Sequence, residues 1–178
     1  MAKITFFTGP VRSGKSRRAV ALASKWGPKT VFVATCQPPA LDPSGAVLDS
    51  EMAERIRRHR DERPAWRVLE APRDIAAALG ALNPPPSGVI LDCLTLWVSD
   101  RLDCDDASLI TDWRQLLTHF QRASYPVTIV SNEIGWAPVP AQPVLRRFRD
   151  LVGTLGQITA DGADDVYLCV VGQTLKLK

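Results

Sequence analysis

Residues Gly9–Ser16 read G-P-V-R-S-G-K-S, and no other stretch of the chain limits its fold as strongly. The run satisfies G-x-x-x-x-G-K-[ST], and its flanks agree with it. The apolar, β-prone Ile4-Thr5-Phe6-Phe7 precedes it, and the helix-prone Arg17–Ala23 follows. Strand, glycine-bounded loop and helix in that order turn successive backbone N–H groups and a helix N-terminus toward one cavity, which suits a polyphosphate. Gly9 and Gly14 permit the tight path through Pro10, Val11, Arg12 and Ser13. Lys15 is placed to reach β- and γ-phosphates, and Ser16 to offer its hydroxyl to Mg²⁺. The pattern predicts a nucleoside triphosphate site.

The rest of the chain reads as the fold such a loop needs. Strand-like runs recur at Ile4–Phe7, Thr30–Ala34, Gly88–Asp92, Val127–Ser131 and Val166–Val171, mostly as continuous apolar stretches. Such strands belong in a parallel sheet covered on both faces. Helical patterns alternate with them at Ser16–Lys25, about Leu48–Glu62, Pro72–Leu82, Asp106–Arg122 and Val144–Ala160. This alternation predicts a doubly wound α/β domain spanning residues 1–178. Arg67–Glu70 and Thr174–Lys178 are shorter candidates, the second following Val166–Val171 across Gly172-Gln173 as an antiparallel edge hairpin. The 14 prolines fall in connectors, with no repeat and no interdomain linker between them.

Composition narrows the function classes. With 46% apolar and 23% charged residues the chain has the make-up of a globular protein, not a disordered one. No apolar run approaches membrane-spanning length, and Met1-Ala2-Lys3 leads into the first strand without a signal-peptide layout. A cytoplasmic protein with no membrane span is expected. The net charge of +3 is modest, and its arginines cluster in Arg55–Arg63 and Arg146–Arg149, as suits phosphorylated ligands. With no aromatic stacking platform, nucleic acid is not an expected partner. Cys36, Cys93, Cys104 and Cys169 form no C-x-x-C pair and have no nearby His, so reduced, mostly packed thiols are expected.

Two further features carry chemistry. Val89-Ile90-Leu91-Asp92 is an apolar strand ending in an acid; beside a phosphate loop, Asp92 is positioned to hold Mg²⁺ directly or through water. The segment from Glu51 to Arg63 places Met52, Ile56, His59 and Arg63 on one helical stripe and surrounds His59 with arginines. Cationic neighbours favour a neutral imidazole, which is a competent nucleophile, and the arginines suit phosphate oxygens. On the pattern alone, a basic solvated helix with an incidental histidine is the favoured reading. His119 reads as a surface or helix-end residue.

An ordered series of motifs then runs nearly end to end. It comprises G-P-V-R-S-G-K-S at Gly9–Ser16, V-A-T at Val33–Thr35 and E-M-x-x-R-I-x-x-H-R from Glu51 to Arg60. W-R-V-L-E-A-P at Trp66–Pro72, L-D-C-L-T-L-W at Leu91–Trp97 and S-N-E-I-G at Ser131–Gly135 follow. R-F-R-D at Arg147–Asp150, A-D-D-V-Y-L at Ala163–Leu168 and a V-G-Q-T-L-K-L-K ending complete it. With these the chain resembles the bifunctional adenosylcobinamide kinase / adenosylcobinamide-phosphate guanylyltransferase family of cobalamin biosynthesis. The resemblance implies a P-loop NTPase (RecA-like) α/β fold, its sheet mostly parallel with helices on both faces and an antiparallel edge strand, assembled as a homotrimer. It implies phosphorylation of adenosylcobinamide by ATP or GTP, then transfer of GMP from GTP to adenosylcobinamide phosphate.

The same resemblance implies residue roles. His59 matches the histidine that carries GMP. Ala34, Thr35 and Cys36, together with Arg60, Asp61, Glu62 and Arg63, match nucleotide-contacting stretches. Glu70 and Asp92 match acidic positions at the guanine nucleotide site. No base for the kinase step is identified, although Glu133 is a candidate. The chain departs from the family pattern at Pro10, where Gly is usual and one loop N–H is lost, at Asp100 and Gly156, and across Trp136–Pro140. Two other readings stay open: a guanylyltransferase without kinase activity, and a P-loop switch that transfers no group and needs no His59.

Overall fold

The computed structural model describes residues 2–37, 49–61 and 64–178; within the helix at 50–61, the side chains of residues 52, 55 and 58–61 lie outside the description. Among the described residues seven strands form one sheet: β1 (Ile4–Thr8), β2 (Thr30–Ala34), β3 (Arg67–Glu70), β4 (Gly88–Asp92), β5 (Val127–Val130), β6 (Asp165–Val170) and β7 (Gln173–Lys176). Their order is β3-β2-β4-β5-β1-β6-β7. The first six run parallel and β7 returns antiparallel to β6. This is the mostly parallel P-loop NTPase-like sheet expected from the sequence. Among the described residues six α-helices accompany it: α1 (Lys15–Ala23), α2 (Ser50–Asp61), α3 (Ile75–Gly80), α4 (Leu94–Ser99), α5 (Asp106–Arg122) and α6 (Pro143–Gly162).

Strand side chains alternate between faces, and each face has its own core. On one, Ile4, Phe6, Val31, Val33, Val89, Leu91, Val127 and Ile129 pack against α3, α4, α5 and α6. Helix α5 meets them with Leu109, Trp113, Leu116, Leu117 and Phe120, the i, i+4, i+7, i+8, i+11 stripe of an amphipathic helix. Its start is fixed by Asp105, whose Oδ1 accepts the Ser108 N–H at 2.9 Å. The Trp113 indole donates to Thr159 Oγ1 at 2.9 Å, joining α5 to α6 inside the core. On the other face Phe7, Phe32, Ile90, Val130 and Cys169 pack under α1 through Ala19 and Ala23. The small alanines bring α1 close to the sheet, which holds the loop that precedes it against the ends of the strands.

Gly88 shows how tightly this second face is filled. A Cβ there would lie 2.2 Å from Cε3 of Trp26, a contact that real side chains do not make. Gly88→Ala is therefore expected to cost about 1–3 kcal/mol by overpacking and to lower Tm by several degrees. Thermal unfolding checks this, and an unchanged Tm would mean that Trp26 swings away freely.

Most element limits agree with the sequence to within a residue or two, and three differences have physical causes. Helix α3 starts at Ile75 rather than near Pro72, because the Asp74 side chain caps it by accepting the Ala77 N–H at 2.9 Å. Helix α4 gave no signal: it has six residues, and Leu94, Thr95, Trp97 and Val98 are all buried, leaving little polar face to mark a period. Strand β6 ends at Val170, and the hairpin turns on Val171-Gly172, one residue earlier than expected, with φ of +46° and +79°. The exposed Val171 (85%) takes the left-handed position in place of the Gln173 that the sequence offered. Of the four cysteines, Cys93 and Cys169 are buried, Cys36 is half-buried and Cys104 is exposed. Among the described residues no helix is long and apolar enough to cross a membrane.

Candidate active site

The carboxyl ends of the parallel strands gather the residues that the sequence singles out. Register places Ala34 of β2 opposite Glu70 of β3 on one side and Asp92 of β4 on the other. The row continues from Asp92 to Val130 of β5, and Val130 pairs with Phe7 of β1. In-register neighbours on parallel strands share a face, so Glu70, Ala34 and Asp92 lie on the face that α1 covers. The phosphate loop leaves β1 at one end of this row, with Glu70 on the edge strand at the other. At about 4.8 Å per strand the two ends lie roughly 19 Å apart. Crevices outside the carboxyl ends of such strands are where ligands bind in open α/β sheets.

The loop itself is tightly held. Gly9 has φ +151°, and a Cβ there would lie 2.1 Å from the carbonyl oxygen of Cys169 in β6, so only glycine fits. Gly14 is left-handed at φ +91° and enters α1. The Ser13 N–H donates to the Pro10 carbonyl at 3.2 Å, so Pro10 keeps its acceptor role in the turn despite lacking an N–H of its own. The β6–β7 turn buttresses the loop from outside. Gly172 N–H donates to Ser13 O at 3.0 Å, and Arg18 Nη2 donates to Gly172 O at 2.9 Å. Nothing in the sequence pattern signalled this buttress, because the two partners lie about 160 positions apart and each looks like an ordinary turn.

Three features of this loop fit a polyphosphate. Helix α1 has no side-chain cap among the described residues, so its first N–H groups have no partner within the helix. The Ser13 hydroxyl is buried inside the loop with no hydrogen-bond partner among the described residues. Lys15 is only 7% exposed, and its ammonium donates to the Pro10 carbonyl at 3.2 Å. Burial pulls the Lys15 pKa below the usual lysine value, while the nearby Asp92 carboxylate pushes it back up. A bound anion would satisfy all three at once.

Asp92 is half-buried at the end of β4, and the segment behind it is fixed by Thr35. The Thr35 hydroxyl accepts the Cys93 N–H at 2.7 Å and donates to the Cys93 carbonyl at 2.6 Å; the Thr35 N–H donates to the Asp92 carbonyl at 3.1 Å. Burial pushes the Cys93 thiol up to about 12, so it stays protonated and serves packing. Among the described residues no group of three His, Cys, Asp or Glu side chains forms a metal cage. A hard cation held by one carboxylate, one hydroxyl, waters and substrate phosphates needs no such cage. Ser16 at the start of α1 and Asp92 on the same face suit that arrangement.

Beside the loop, on the far side from β6, β5 is followed by Ser131-Asn132-Glu133. The Glu133 N–H donates to Gly9 O at 2.9 Å, and Glu133 Oε2 accepts from Thr8 Oγ1 at 3.3 Å. Thr95 Oγ1 lies 3.3 Å from Ser131 Oγ and accepts the Asn132 N–H at 2.8 Å, tying α4 to this strand end. Sequence reasoning missed Thr8, Thr95 and Ser131 at this edge; hydroxyls at the ends of apolar strands were the available signal for Thr8 and Ser131, while Thr95, inside α4, gave none. The following loop carries exposed Trp136 and Val139, its carbonyls gathered by arginines of α6. Arg149 donates to Ala137 O at 3.0 Å, and Arg146 to Pro140 O and Ala141 O at 3.0 and 2.6 Å.

The other sequence-picked residues fall in less central places. Ala34 ends β2 beside Asp92 and Thr35 and Cys36 follow it, while Val11 and Arg12 are exposed at the tip of the loop. Helix α2 forms where the basic segment was expected and contains His59, Arg60 and Asp61, whose side chains lie outside the described residues. Glu62 and Arg63 lie wholly outside them. His119 is half-buried in the last turn of α5, on the other side of the sheet from α1.

Comparison with known proteins shows the family. The family model described as "Cobinamide kinase / cobinamide phosphate guanyltransferase" matches residues 5–177. The chain is 37% identical over 186 aligned positions to the "Bifunctional adenosylcobalamin biosynthesis protein CobU" of Salmonella typhimurium, covering 96% of this chain and 97% of that protein. It is 37% identical to the "Bifunctional adenosylcobalamin biosynthesis protein CobP" of Pseudomonas aeruginosa, with 96% and 94% covered. The CobU protein of Escherichia coli is 33% identical, with 96% and 97% covered.

Proposed function

This chain belongs to the cobinamide kinase / cobinamide phosphate guanyltransferase family, and we propose that both activities use the single nucleotide cradle at Gly9–Ser16. It is a bifunctional enzyme of adenosylcobalamin biosynthesis. The kinase reaction phosphorylates adenosylcobinamide with ATP or GTP. The guanylyltransferase reaction passes GMP from GTP to adenosylcobinamide phosphate, giving adenosylcobinamide-GDP.

The observation that carries the shared-cradle reading is the phosphate loop itself, with its unpartnered Ser13 hydroxyl, buried Lys15 and uncapped helix start. The loop N–H groups and Lys15 take up the charge that develops on the departing nucleoside diphosphate in the first reaction and on pyrophosphate in the second. Ser16 and Asp92 would hold Mg²⁺, which supplies further charge neutralisation on the phosphates. His59 attacks the α-phosphorus of GTP and carries GMP until the cobinamide phosphate oxygen displaces it. Thr35 fixes Asp92, while Ala34, Cys36, Glu70 and residues 60–63 line the nucleotide. The reading also takes the protein to be cytoplasmic and a homotrimer, the latter measurable by light scattering.

The test is a pair of assays on one purified preparation: phosphorylation of cobinamide, and guanylylation of cobinamide phosphate supplied directly. Both are expected. Guanylylation alone would overturn the bifunctional reading, and nucleotide binding with neither transfer would leave a switch.

A further inference from the structure

We propose that Glu133 is the general base of the kinase reaction and is dispensable for guanylyl transfer. The assignment rests on the two-reaction reading above. It follows from where β5 lies. In the strand order β4-β5-β1, the end of β5 lies between Asp92 and the loop, so whatever follows Val130 borders the phosphate cradle. The chain spends that position on a carboxylate. Its backbone N–H is held by Gly9 O at 2.9 Å, and one side-chain oxygen, Oε2, is oriented by the Thr8 hydroxyl at 3.3 Å. Oε1 has no hydrogen-bond partner among the described residues, and a Cβ built on Gly135 would lie 3.7 Å from it, so nothing bulky shields it from that side. Glu133 is half-buried, open to an acceptor arriving from outside.

The other carboxylates on the neighbouring strands are less suited. Asp92 interacts with Lys15 and is the acid expected to hold the cation. Glu70 stands on the edge strand, four strands from β1. Asp165 is at the opposite end of β6 and is held between Lys3 at 2.8 Å and Lys176 at 2.7 Å.

The two reactions differ in what their acceptor brings. In the kinase reaction the acceptor is a hydroxyl. Its oxygen bonds to the γ-phosphorus, the bond from that phosphorus to the β–γ bridging oxygen breaks, and the nucleoside diphosphate leaves. The hydroxyl proton passes to a Glu133 oxygen. In guanylyl transfer the acceptor is a phosphate monoester, with a second pKa of about 6, and its oxygen attacks without losing a proton. A base beside the cradle matters to the first reaction and has nothing to remove in the second.

Glu133→Gln keeps the size of the side chain and an oxygen to accept from Thr8, but cannot take a proton. Its kinase kcat is expected to fall about 10²-fold with KM changed less than about threefold, while guanylylation of supplied cobinamide phosphate stays within about threefold of wild type. Glu133→Asp, which keeps the carboxylate one methylene short, is expected to lose less. Kinase activity retained in Glu133→Gln, or both reactions falling together, would overturn the assignment while leaving the two-reaction reading intact. Wild-type protein that guanylylates without phosphorylating would instead overturn that reading, and this assignment with it.

Discussion

Lys15→Ala is expected to lower both reactions by about 10²–10³-fold, the scale on which removing one preorganised charge donor acts. The two losses should be of similar size, because one ammonium serves two leaving groups, a nucleoside diphosphate and pyrophosphate. Stability should not fall with activity. Lys15 is nearly fully buried, and burial depresses its pKa, which means that the folded protein holds the charge at a cost. Removing it is expected to leave Tm unchanged or to raise it. Parallel assays of kinase and guanylyl transfer, with thermal unfolding of the same samples, check all three expectations. A kinase loss with guanylyl transfer untouched would show that GTP for the second reaction binds elsewhere, and the single-cradle reading would fall.

The parts of the fold that could be read in the sequence were those set by local rules. The loop Gly9–Ser16 announced β1 and α1, and continuous apolar runs marked β2, β4 and β5, because parallel strands are buried on both faces. Asp92 was legible as a strand-ending acid, and α5 matched its expected limits since its stripe is long and regular. What escaped were features made by contacts between distant segments. The Val171-Gly172 turn bracing Ser13, and Cys169 leaving room only for a glycine at position 9, join chain ends that no local pattern connects. Helix α4 escaped for a different reason: it is short and buried on most sides, so its burial carries no period. Thr8 lies just past the apolar run Ile4–Phe7 and carried no local signal; the fold places Glu133 against it.

The same distinction governs the histidine. Composition and spacing favoured a solvated basic helix, and only the ordered motif series assigns His59 a role. Helix α2 places His59 in regular helix, whatever its function, so chemistry has to decide. With GTP labelled at the α-phosphate, wild-type protein is expected to retain label after denaturation, held by a phosphorus–nitrogen bond that is lost in acid. His59→Ala is expected to retain none and to lose guanylyl transfer by at least about 10³-fold, since direct displacement forgoes the covalent relay. Its kinase activity is expected to persist, because the γ-phosphoryl passes directly to the acceptor hydroxyl. Label surviving in His59→Ala would place the carrier on another residue. Unlabelled wild type that still guanylylates would point to direct attack by the cobinamide phosphate on GTP, and the arginines around His59 would then serve to bind phosphate and not to support a nucleophile.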